Sequence, residues 1–106
     1  MVKRHYKVVW QDAAKSSLRK IFNYIKKRES LEQATRVKSE IKKEGDSLGF
    51  MPHKYTEDQF LEKYGRDIRF KAIWSYKLIY EIMEEHIIIL DVIHTSRNPD
   101  NMKLVR

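Results

Sequence analysis

Two hydrophobic periods divide the chain. In "QDAAKSSLRKIFNYIKKR", Ala14, Leu18, Ile21, Phe22 and Ile25 stand at i, i+4, i+7, i+8 and i+11, one stripe of an amphipathic helix, with Asp12 as its N-cap. "SLEQ" at Ser30–Gln33 has the spacing of a capping box, in which the serine hydroxyl takes the Gln33 N–H and the Gln33 side chain reaches back. It predicts a second helix from Leu31 past Val37 and Ile41 to about Gly49, with Pro52 just beyond. A link of about four residues makes the pair an antiparallel hairpin. Ahead of it, Tyr6–Trp10 alternates as a strand does.

The second half switches to a period of two. In "DIRFKAIW", Ile68, Phe70 and Ala72 alternate with Arg69 and Lys71; in "SYKLIYEIM", Leu78, Tyr80 and Ile82 alternate with Lys77, Ile79 and Glu81. Taking the two apolar sets as core puts Arg69, Lys71 and Lys77 together on the opposite face. After a short turn at Glu84–Glu85, "HIIILDVIHT" is apolar on both faces, as a central strand is. The predicted architecture is α+β, one domain over residues 1–106: an N-terminal strand, an antiparallel two-helix hairpin, then a three-stranded antiparallel meander, with the helices on one face of a twisted sheet. The helical crossover lets the first strand pair in parallel with the last.

Composition changes this picture in one respect. Charged residues make up 35% of the chain and the formal charge is +7, which points to a polyanionic partner or to a domain that is simply basic; charge alone leaves both open. There is no cysteine, so disulfides and thiolate metal sites are excluded. The four histidines have no ligand spacing, and neither metal nor cofactor is expected. No apolar run reaches membrane-spanning length, and "MVKRHYKVVWQD" has no signal-peptide core; a cytoplasmic protein that does not engage membranes is expected.

Candidate chemistry gathers at the end of the last strand. "IIILDVIHTSRNPDNM", Ile87–Met102, leads the most apolar run into His94, Arg97 and an Asn-Pro stop. With Arg69, Lys71 and Lys77 on the open sheet face, several cations would converge beside that exit. The plainer reading is a solvated strand face that discourages edge pairing, and a turn at Asn98-Pro99.

"SYKLIYEIMEEHIIILDVIHTSRNP", Ser75–Pro99, resembles the RelE/ParE superfamily, toxins of bacterial type II toxin–antitoxin systems. The resemblance rests on Tyr76-Lys77-apolar-apolar-Tyr80, a short acidic turn, a β-branched strand and a His94-x-x-Arg97 tip. "IRFKAI" and the hairpin agree in order and length, so nearly the whole chain is covered. It implies one of two activities, of which the retained basic residues favour the first, mRNA cleavage, with the second as the alternative. RelE-like members are ribosome-dependent mRNA endonucleases; in that branch Arg69, Lys71, Lys77 and Arg97 fall on basic site positions. The tyrosine that many of them carry after the last arginine has no counterpart in "NPDNMKLVR", and His94 is our own candidate for the missing acid–base group. ParE-like members are non-enzymatic poisons of DNA gyrase, and the Arg-Asn-Pro tip and absent tyrosine fit them. Either branch implies a cognate antitoxin, acidic and partly disordered when free, for which Leu31, Phe50 and Met51 are candidate apolar contacts. A basic nucleic-acid-binding module without toxicity is the third reading.

Overall fold

The computed structural model describes residues 6–50, 56–57 and 66–95. In chain order they form β1 (Lys7–Trp10), α1 (Asp12–Arg28), α2 (Leu31–Asp46), a 3-10 turn (Ser47–Gly49), β2 (Thr56–Glu57), β3 (Ile68–Ile73), β4 (Tyr76–Ile82) and β5 (His86–His94). The strands make one sheet in the order β1-β5-β4-β3-β2. β3, β4 and β5 are the expected antiparallel meander. β1 pairs in parallel with β5, Lys7 opposite His86 and Trp10 opposite Ile89. The two-residue β2, antiparallel to β3, has no sequence signal.

The helices start as their ends dictate, with two departures. Gln11 is the residue before α1 and caps it with no side-chain bond; Asp12 is instead the first helical residue, where its charge complements the helix dipole. Only Glu29 and Ser30 separate the helices. The Ser30 hydroxyl accepts the Gln33 N–H at 3.0 Å, the cap read from "SLEQ". α2 stops at Asp46 and the 3-10 turn carries the chain to Gly49.

The stripes Ala14–Leu18–Ile25 and Ala34–Val37–Ile41 meet Ile73, Leu78, Tyr80, Ile87, Ile89 and Val92 in the main core. Each large apolar side chain sealed there contributes about 1.5–3 kcal/mol. Close approach at one point requires glycine: a Cβ on Gly45 would stand 2.5 Å from Cζ2 of Trp10. The Trp10 ring therefore lies against α2, its Nε1 donating to Asp46 Oδ1 at 3.0 Å. A second cluster, Ile68, Ile79, Leu90 and Ile93 with Phe70 and Ile88, draws only on strands among the described residues and belongs to the other face of the sheet.

Candidate functional site

The face assignment of β3 is the main correction to the sequence reading. β3 and β4 are joined by the two residues Trp74 and Ser75, with Ile73 opposite Tyr76. A two-residue turn pairs even-numbered positions with odd-numbered ones, and cross-strand partners share a face. Arg69 thus lies beside Tyr80 and Lys71 beside Leu78, on the helix side, while Phe70 lies beside Ile79 and Ala72 beside Lys77. Leu78 and Tyr80 are core as expected; Ile68 and Phe70 belong to the cluster on the opposite face, and Ala72 is exposed. The expected convergence of Arg69, Lys71 and Lys77 on one open surface does not occur.

Each strand cation has its own surroundings. The Lys71 ammonium donates to the Glu44 carboxylate of α2, with side chains 12% and 27% exposed. That hydrogen bond holds the Glu44 carboxyl below its ordinary value against the opposing effect of burial. Arg69 Nε donates to Asp67 Oδ1 at 3.0 Å. Arg66, just before β3, grips Glu81 with two hydrogen bonds of 3.0 and 2.7 Å. Lys77 is on the other face, its ammonium 4.3 Å from the centre of the Phe70 ring, and its neighbours there among the described residues are Phe70, Ile79 and Ile93.

His94 reaches its position through an irregularity in β5. Tyr80 pairs with Ile89 but Ile79 with Asp91, so Leu90 is an extra residue in the ladder, a β-bulge. The bulge lets Ile87 and Ile89 before it, and Val92 and His94 after it, all face the helices. It is tied to α1: the Ser17 hydroxyl donates to Asp91 Oδ1 at 2.5 Å, and the same oxygen accepts the Val92 N–H at 2.8 Å. Arg97 and Met51 lie outside the described residues.

His94 stands opposite Tyr76, rings edge to face at 5.5 Å. Both line an open cleft of about 810 Å³ between the helical hairpin and the β3–β4 turn, with Tyr24, Glu29, Gln33 and Trp74. Burial raises the Tyr76 phenol above its ordinary value, and the nearby Glu29 carboxylate raises it further. Trp74 holds a left-handed backbone, φ 52°, and is 57% exposed. A bulky residue there is strained. The cleft was not anticipated: a two-residue turn without Gly or Asn gives no turn signal, and Tyr24 sits off the apolar stripe of α1. Of the predicted site residues among the described ones, His94 alone lines it. Leu31 and Phe50, read as apolar contact candidates, are each 57% exposed.

The family model described as ParE toxin of type II toxin–antitoxin system, parDE, matches residues 8–99. A solved chain from the chromosomal ParDE toxin–antitoxin system of P. aeruginosa superposes with a TM-score of 0.70 at 16% identity, covering 85% of this chain and 96% of that one. At that identity the likeness is one of fold. The curated proteins give no match.

Proposed function

Because this chain belongs to the ParE toxin family of type II toxin–antitoxin systems, we propose that it stops growth by binding DNA gyrase and not by cutting mRNA. A cognate antitoxin is the partner that this membership implies.

One observation supports gyrase over RNA: the strand cations are divided between two faces of the sheet. In-line cleavage at a ribose needs a base, an acid and charge-stabilising cations around one phosphate. Arg69 and Lys71 are bonded to carboxylates on the helix side, while Lys77 lies on the other side beside Phe70. Among the described residues, a phosphate held by Lys77 would have Phe70 and Ile79 as neighbours, and they offer neither protons nor charge. A binding poison needs no such constellation. His94, with Arg97 three residues on in sequence, is then a contact for the target and not an acid–base group.

Purified protein added to gyrase and relaxed plasmid should block supercoiling and accumulate cleaved DNA, and the same protein in a translating extract should leave message intact. Double replacement of His94 and Arg97 by alanine should weaken the gyrase effect. Normal supercoiling together with fragmented mRNA would replace this reading with the ribonuclease one.

A further inference from the structure

The positive charge is concentrated in one element. α1 carries Lys15, Arg19, Lys20, Lys26, Lys27 and Arg28 against Asp12 alone, 6 − 1 = +5 over Asp12–Arg28. α2, one residue shorter, carries Arg36, Lys38, Lys42 and Lys43 against Glu32, Glu40, Glu44 and Asp46, 4 − 4 = 0. All six α1 cations are exposed. Among the described residues none of the six forms an ion pair; Arg28 lies 5.4 Å over its neighbour Tyr24.

Helix stability does not explain the whole set. Lys26, Lys27 and Arg28 occupy the last turn, where the helix dipole favours cations, but Lys15 is near the N-terminal end, where it disfavours them. Spacing gives the set a shape. Lys15, Arg19 and Lys26 stand at i, i+4 and i+11, and Lys20 and Lys27 at i and i+7, two stripes about 16 Å and about 10 Å long, roughly 100° apart around the exposed side of the helix.

A protein partner would need an apolar anchor at the centre of its interface. Between these cations α1 exposes Ala13, Asn23 and Tyr24, and only Tyr24 could serve. Of the other exposed apolar groups, Val9 shares a shallow groove with Lys15 and Arg19 at one edge of the cationic face, while Leu31, Phe50, Trp74 and Met83 belong to other segments. A phosphate backbone needs cations and no apolar anchor. A rigid helix carrying regular rows of them suits a regular duplex, whose major groove is wide enough to admit one.

We propose that the exposed face of α1 binds duplex DNA through its phosphates, without reading sequence, and so holds the toxin on the DNA that gyrase handles. Its biological sense rests on the gyrase reading, but the contact is measured without gyrase, so either can fail while the other stands.

The experiment follows the anisotropy of a short fluorescent duplex of arbitrary sequence, titrated with the purified protein from low to physiological salt. Binding should weaken steeply with salt. Replacing Lys15, Arg19 and Lys26 together by glutamine should cut affinity about tenfold or more and flatten the log–log salt slope by about 2.7, roughly 0.9 for each lost phosphate contact. Replacing Arg36, Lys42 and Lys43 of α2 removes the same charge and should cost less than about threefold. Circular dichroism checks that both variants fold; should the α1 triple variant not fold, single replacements flattening the slope by about 0.9 each serve instead. Equal losses in the two triple variants would reduce the effect to net charge and overturn the proposal. So would no duplex binding by the unaltered protein, single-stranded RNA bound at least as tightly, or an acidic protein captured through α1 while DNA is ignored.

Discussion

The sheet and the first helix employ the same side chains in opposite ways. Arg66, Arg69 and Lys71 each end on a carboxylate, Glu81, Asp67 and Glu44 respectively. The cations of α1 end in solvent. Surroundings account for the difference. A cation lying against the sheet, under α2 for Lys71 and beside the strands for Arg66 and Arg69, loses part of its water, and a partly desolvated charge must be paired to be tolerated. A cation on the outer face of a surface helix keeps its water and stays available to a partner. Paired cations therefore belong to the fold, and unpaired ones are the better candidates for function.

Four stability measurements test that contrast, beginning with the largest expected effect. Glu81→Ala leaves the Arg66 guanidinium without its two-pronged partner in a site only 27% exposed. Unfolding in urea at neutral pH should show a loss of about 2–3 kcal/mol, below the figure for fully buried pairs because water reaches the site. A loss too small to measure would mean that these pairs are decoration, and the contrast would collapse.

Lys71→Met keeps the stem and removes the charge, at an expected cost of about 1–2 kcal/mol at neutral pH. Its sign with pH is fixed by Glu44, whose carboxyl is held low chiefly by the hydrogen bond from Lys71. A carboxyl lower in the folded state contributes stability above its unfolded value and loses it as pH falls through the folded value. The gap between wild type and Lys71→Met should therefore be full at neutral pH and narrow on acidification, as urea titrations at stepped pH would report. A gap that widened in acid would contradict the assigned pair.

Lys77→Ala removes a cation lying over Phe70 and should cost only about 0.5–1 kcal/mol. A loss as large as that for Lys71 would mean that Lys77 has structural work that its surroundings do not reveal. The smallest effect belongs to α1: replacing Lys15, Arg19 and Lys26 by glutamine should change stability by no more than about 0.5 kcal/mol in all, because like charges are removed and no ion pair is broken. Substantial unfolding of that variant would place these residues with the paired cations.

How far the site could be read in advance turns on one residue pair. The "SLEQ" cap, the two helical stripes and the apolar β5 were plain because each is a local pattern. The face of Arg69 and Lys71 was not, because it depends on whether the link between β3 and β4 is even or odd in length. Trp74 and Ser75 carry no turn chemistry that would declare it, and Trp74 enters its left-handed conformation without glycine. One residue more or less in that link would have moved Ile68, Arg69, Phe70 and Lys71 each to the opposite face. The bulge at Leu90 repeats the lesson in β5, where it keeps Val92 and His94 on the side of Ile87 and Ile89.

Local sequence by itself determined the order of elements, the buried stripes of the helices, the central place of β5 and the concentration of charge in α1, since period, capping and composition act over a few residues. The tertiary structure alone decided which strand cations meet carboxylates, which face Lys77 takes and what lines the cleft beside His94. Those outcomes depend on register between segments far apart in the chain, and register is set by packing two faces at once, which no single segment encodes.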